Sequence, residues 1–259
     1  MSEASSPLRR FWVEFSENRI AVLALVVVIV MILLALFAGL VSPQNPYDLA
    51  NLSLMDSRRP PGFVGSGGYT HLLGTDPQGR DLLSAIFYGL RISIQIGLAA
   101  GFVSLTIGTA LGITAAYLGG RIEALIMRLV DLQLSFPAIL LALVIVALLG
   151  QGKVQLIGAL VAAQYAYFAR TAYGAAKAER GKDYIEAALA TPLSGRLVVW
   201  RHLLPNCTPP LIVVATVQIA NSISLEATLS FLGLGLPVTE PSLGMLISNG
   251  FPYMMSGRY

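Results

Sequence analysis

Charge is scarce in this chain. Only 12% of its 259 residues are Asp, Glu, Lys or Arg, and 55% are hydrophobic. A soluble domain carries about 25% charged residues, so with a mean hydropathy of +0.71 composition excludes a soluble globule and implies an integral membrane protein. Thiols and imidazoles are scarcer still. The single Cys207 excludes an intrachain disulfide framework, and His71 and His202, far apart, supply no imidazole–thiolate metal constellation. No Ser/His/Asp cluster points to a nucleophilic enzyme, and Gly152-Lys153, followed by Val154, lacks the spacing of a phosphate loop. No residue is assigned to catalysis or to a metal. The net charge of +3 is too small for a nucleic-acid surface and reads as membrane orientation bias. A cleavable signal peptide is not expected, since the first apolar run, Ile20 to Val41, holds 22 residues without a charge. That is too long for a signal core and long enough to cross ~30 Å of hydrocarbon.

Five apolar segments follow from the gaps between charges: Ile20–Val41, Ile92–Leu118, Leu129–Gly150, Val154 to about Arg170, and Leu211 to about Leu236. All are expected as helices, because lipid leaves no partner for unpaired backbone groups. The fourth is short and can extend through Tyr173-Gly174-Ala175-Ala176. With the N-terminus inside, the inner segments hold Arg9, Arg10, Arg19, Arg121, Arg128, Arg170, Lys177, Arg180, Lys182, Arg196 and Arg201, eleven of the seventeen Lys and Arg. The excess of positive charge on that side favours this topology and puts residues 171–207 in the cytoplasm.

Ahead of the first span, Leu8, Phe11, Trp12 and Phe15 recur at i, i+3, i+4, i+7 beside Arg9 and Arg10. This reads as a short interfacial helix on the inner leaflet, or as a tail with a Trp anchor. Between the first two spans lies a Pro/Gly-rich stretch ending in Leu73-Gly-Thr-Asp-Pro-Gln-Gly-Arg-Asp81. Asp76 followed by Pro77 predicts a helix start there, with Asp76 or Asp81 pairing Arg80.

Gly97, Gly101, Ser104, Gly108, Gly112, Ala115 and Gly119 fall on one stripe of the second span, within an arc of roughly 80° at about 100° per residue. Small residues on one face predict close approach of another helix. Charges inside the spans are few. Asp131 stands three residues after Arg128, which predicts a local ion pair, and Pro137 predicts a kink. Glu226 is an intramembrane carboxylate, either a functional group or an interhelical hydrogen-bonding one, with Gln218 and Asn221 as neighbours in a polar lining.

Between the fourth and fifth spans lies a charged island. Asp183 and Glu186 form a capping-box pair at the start of a helical run. Ala187, Ala188 and Ala190 present a surface that can be approached closely. Thr191-Pro192 predicts a break and a restarted helix, with Leu193, Leu197, Trp200 and Leu204 on one face and Pro205 at its end.

The island, from Glu186-Ala-Ala188 to Leu204-Pro205-Asn206, resembles the EAA loop of binding-protein-dependent ABC importer permeases. Leu73–Asp81, Leu129-Val-Asp-Leu-Gln-Leu-Ser-Phe-Pro137 and Glu226-Ala-Thr-Leu-Ser-Phe-Leu-Gly-Leu-Gly235 resemble the dipeptide/oligopeptide/nickel branch. The family pattern has Gly six residues after the Glu; here Pro192 stands there and Gly195 follows three later. The resemblance implies an all-α polytopic bundle of type I importer architecture, with five spans visible and a sixth expected beyond them. It implies a coupling helix at Asp183, Glu186, Ala187, Ala188, Ala190, Thr191, Pro192, Gly195, Leu204 and Pro205. The implied organisation is a tail at 1–19, a first span at 20–41, an extracytoplasmic loop at 42–91, and a permease core at 92–259 with its coupling loop at 171–207. The implied partners are a second permease subunit, two ATPase subunits holding ATP and magnesium, and an extracytoplasmic solute-binding protein. No cofactor is expected in this chain, and no nucleic acid. The expected location is a bacterial or archaeal inner membrane, and the expected cargo is peptides or similar small solutes. An ion-coupled secondary transporter and a non-transporting membrane scaffold are the alternatives.

Overall fold

The computed structural model describes residues 7–48, 52–185 and 194–253. They divide into two compact units, Met1–Arg91 and Ile92–Tyr259. In the first, α1 (Pro7–Glu17) and α2 (Arg19–Leu36) meet at Asn18, whose side chain accepts from the amides of Ile20 and Ala21 and so caps α2. α1 carries Phe11 and Trp12 exposed, each stacked on Phe15. α2 has a mean hydropathy of 3.1 and is 6% buried, so its apolar side chains suit a lipid surround. Phe37 interrupts the expected first span, and α3 (Ala38–Val41) completes it.

As its Pro and Gly density suggests, the stretch from 42 to 81 is mostly without regular structure among its described residues. A small antiparallel hairpin pairs β1 (Phe63–Val64) with β2 (Thr70–His71). Around it stand buried polar groups that sequence periodicity does not reveal. Asp81 accepts from the Ser84 amide and hydroxyl at 2.8 and 2.7 Å, faces His71 Nδ1 at 3.0 Å, and has its own amide bound by Gln44 Oε1 at 2.7 Å. Asp81 therefore caps α4 (Leu82–Leu118), five residues later than the expected start at Asp76. The reason lies in the backbone: Gly79 takes φ 78°, a left-handed turn that cannot continue a helix. Asp76 instead closes that turn, accepting from the Gln78 and Arg80 amides and pairing Arg80 Nε at 2.6 Å.

The second unit is built around α7 (Lys153–Arg180), which packs on α5 (Gly120–Leu134), α6 (Ala138–Leu149) and α9 (Leu204–Phe231). Its buried alanines, Ala159, Ala163, Ala166, Ala169, Ala172 and Ala176, let those neighbours approach. Leu156, Phe168 and Ala166 each join a separate apolar cluster along its length. α8 (Gly195–Val198) runs through a π-turn (Val199–Leu203) into α9, and α10 (Leu243–Gly250) packs back on α9.

Among the described residues, three helices are long and apolar enough to cross a membrane: Arg19–Leu36, Leu82–Leu118 and Gly195–Phe231. The pair α5 and α6, bent by 91° at Ser135–Pro137, is a fourth if it counts as one span. The expected continuous helix from Leu129 is thus a sharp corner between two helices rather than a kinked span. α7, with 28 residues, is long enough but not apolar enough to join them. Ten of its residues are buried, among them the alanines that face its neighbours.

Candidate functional site

Two cavities run along α7 and α9 and share Tyr167 and Gln218. One, of about 420 Å³, is lined by Leu134, Arg170, Thr171 and Val213 among others. The second, of about 240 Å³, adds Gln164, Asn221, Ser224 and Thr228. Gln164, Tyr167 and Thr171 stand at i, i+3 and i+7 on α7; Gln218, Asn221, Leu225 and Thr228 follow the same rule on α9. The wall is held by its own hydrogen bonds. Asn221 Nδ2 donates to Gln218 Oε1 at 3.1 Å, and Ser222 Oγ donates to the Gln218 carbonyl at 3.0 Å. With its amide nitrogen turned toward Ser222, Gln164 donates to Ser222 Oγ at 2.8 Å. The result is a wettable, mostly uncharged groove in an otherwise apolar bundle.

Two sequence expectations are corrected here. Asp131 does not pair with Arg128 on its own helix. Its Oδ1 lies 2.9 Å from Arg170 Nη1 on α7, because packing of α5 against α7 brings a cation closer than the local i, i+3 neighbour. Glu226 does not share the groove with Gln218 and Asn221. It is fully buried, its oxygens accepting from Ser93 Oγ at 2.7 Å and Ser230 Oγ at 2.8 Å. That makes it an interhelical hydrogen-bonding group joining α4 and α9. Gln164, Tyr167 and Ser222 were missed in the sequence, although the i, i+3, i+7 polar spacing on alanine-rich α7 was the available signal.

The small-residue stripe of α4 meets two different helices. A Cβ added at Gly97 would lie 2.5 Å from Ile223 Cγ1, and one at Gly101 would lie 2.6 Å from Ile219 Cγ1, both on α9. At Gly108 and Gly112 it would run into the backbone carbonyls of Tyr165 and Ala169 on α7. Ser104 and Ala115 are fully buried.

Of the island, Glu186, Ala187, Ala188, Ala190, Thr191 and Pro192 lie outside the described residues. Asp183 is helical and exposed. Next to it, Tyr184 Oη donates to Glu179 and accepts from Asn206 Nδ2 at 3.1 Å, tying the end of α7 to the start of α9. The Glu179 carboxylate beside it pushes the Tyr184 phenol up to about 12. Gly195 sits against Tyr117, with no room for a Cβ before the Tyr117 hydroxyl. Leu204-Pro205 does not end a helix as expected. Pro205 falls in the first turn of α9, where its missing N–H costs nothing. The expected apolar face through Leu197, Trp200 and Leu204 is displaced too: Trp200 is 69% exposed, and Val198, Leu203 and Cys207 are the buried residues. The π-turn adds one residue to the repeat and rotates the face.

Comparison with known proteins agrees with this architecture. The profile of the binding-protein-dependent transport system inner membrane component matches residues 108–257. That of the N-terminal TM domain of oligopeptide transport permease C matches residues 6–61. The chain is 33% identical over 254 residues to the dipeptide transport system permease protein DppC of Haemophilus influenzae, covering 98% of this chain and 85% of that one. It is 36% identical over 249 residues to the di/tripeptide transport system permease protein DppC of Pseudomonas aeruginosa, covering 96% and 81%. An inward-facing MetNI methionine ABC transporter structure matches with a TM-score of 0.50 at 21% identity, over 67% of this chain and 83% of that one; this likeness concerns fold. Helices, groove and broken span define a polytopic α-helical membrane subunit of type I importer architecture. The chain belongs to the family of binding-protein-dependent transport system inner membrane components. The members of that family are permease subunits of ABC importers, served by binding proteins and by ATPases carried on other chains.

Proposed function

We propose that this chain forms one half of the pore of an ATP-driven importer for di- or oligopeptides, in a bacterial inner membrane. The groove along α7 and α9 is its share of the path, completed by a second permease subunit. The hydroxyl and amide wall from Gln164 to Thr228 carries this reading, because it offers neutral hydrogen-bonding groups to a peptide backbone. A solute-binding protein delivers cargo from outside, and two ATPase subunits, each binding ATP and magnesium, dock on residues 171–207 from the cytoplasm. Asp183, the Glu186-to-Pro192 segment, Gly195 and Leu204-Pro205 form the coupling element, and the stripe from Gly97 to Ala115 supplies the packing against which α4 transmits its movement.

The test is reconstitution. Purified chain alone is expected to hydrolyse no ATP, and vesicles containing all subunits with the loaded binding protein are expected to take up dipeptide when ATP is inside. Stoichiometric ATP turnover by the isolated chain, or uptake driven by a proton gradient without ATP, would overturn the assignment.

A further inference from the structure

We propose that Arg170 is a carboxylate-binding position for the transported solute, with Asp131 occupying it between solutes. The proposal rests on the groove being the solute path.

Arg170 is the one charged residue among the described residues that line the two cavities. Its guanidinium stays protonated at any physiological pH. From α5 it faces Asp131; from α7, Tyr167 and Thr171; from α9, Val213, Val214, Val217 and Gln218. Only Nη1 is engaged, by Asp131 Oδ1 at 2.9 Å. Nη2 and Nε make no hydrogen bond among the described residues, so the fork that suits a two-oxygen acceptor remains available on the cavity side. The side chains of Arg170 and Asp131 are 54% and 55% exposed. An exposed pair of this kind holds weakly, so a second carboxylate can compete for the guanidinium without stranding a buried charge.

The position along α7 matters as well. Arg170 stands six residues beyond Gln164, about 9 Å further along the helix axis. A peptide lying against Gln164, Gln218 and Asn221 can therefore reach it with a terminal carboxylate. Neutral amides and hydroxyls orient the backbone of any peptide alike, and Arg170 adds the one contact that distinguishes a free C-terminus from a blocked one. Asp131 then prevents an empty groove from presenting an unpaired cation.

The experiment uses the complete transporter in vesicles. A free-acid dipeptide and its C-terminal amide are chosen so that both load the binding protein to saturation, as verified by calorimetry, and uptake rates are compared. For the intact protein the acid is expected to enter faster by on the order of tenfold, the factor for losing one charge-assisted hydrogen bond. Arg170→Gln is expected to bring that ratio to about one, and Arg170→Lys to an intermediate value. Asp131→Asn, which frees the guanidinium, is expected to keep a ratio at least as large as the parent's and serves alone if Arg170→Gln does not assemble. An equal ratio in the parent and Arg170→Gln, a parent ratio of one, or loss of the ratio in Asp131→Asn would overturn the proposal while ATP-driven peptide uptake still stood. Absence of ATP-driven uptake of either peptide by the intact protein would instead remove the pore reading beneath it.

Discussion

A single missing Cβ has different consequences along α4. At Gly97 and Gly101 the obstructing atoms belong to Ile223 and Ile219 side chains, which can change rotamer. At Gly108 and Gly112 they are carbonyl oxygens of α7, which can move only with the helix. Gly108→Ala should therefore cost more than Gly97→Ala. Gly108→Leu should lose a few kcal/mol or more, by analogy with overpacked cores. Thermal unfolding of the purified variants in detergent gives the order directly, and equal melting temperatures for Gly97→Ala and Gly108→Ala would contradict it. At this scale the sequence was readable in part. A 3.6-residue repeat of small side chains identifies a packed face, but which helix packs there depends on contacts more than fifty residues away. Asp131 shows the same limit: a partner at i, i+3 is visible in the sequence, and Arg170, thirty-nine residues on, is not.

Among the elements, the segment from Leu54 to Asp81 is held by contacts its sequence does not reveal. Proline and glycine density correctly predicts mostly irregular chain, and hydrogen bonds from side chains hold it in place of regular structure. Asp56 accepts from the Ser66 amide at 2.9 Å and the Ser66 hydroxyl at 2.6 Å, which hold its carboxyl below the ordinary aspartate range, with lesser help from His71 and Arg59. A folded-state value below the unfolded one means stabilisation that is present above about pH 4 and lost as pH falls through the folded value. Hydrogen exchange over residues 52–81 should accelerate as pH drops below about 4, after correction for the intrinsic rate, and Asp56→Asn should flatten that response. A profile unaltered by Asp56→Asn would show that other groups govern it. The π-turn before α9 is the other element that pattern reading could not supply. A helical wheel assumes a constant repeat, and one added residue at Val199–Leu203 carries Trp200 to the surface and Leu203 inward.

At the scale of the whole molecule, α7 carries both the groove and the route out of it. Its middle turns present Gln164 and Tyr167 to the cavities, and its last turn meets the island through Glu179, Lys182 and Tyr184. Asn206 then links Tyr184 to α9, the other wall of the groove. A force applied to the island therefore reaches both walls through short polar contacts, without a separate lever. In the function proposed above, that force comes from an ATPase subunit docked on residues 171–207. Ala187, Ala188 and Ala190 carry only methyl side chains, and in the proposed coupling element a bulky side chain would hold the ATPase off. Ala187→Trp should leave ATP hydrolysis by the assembled transporter running while peptide uptake falls by tenfold or more, a separation seen by measuring both in the same vesicles. A cysteine at Ala190 should cross-link to the ATPase subunit in inverted membranes and resist membrane-impermeant maleimide in intact cells. Labelling from the outer face alone would reverse the topology drawn from the Lys and Arg distribution and with it the docking of an ATPase on this segment.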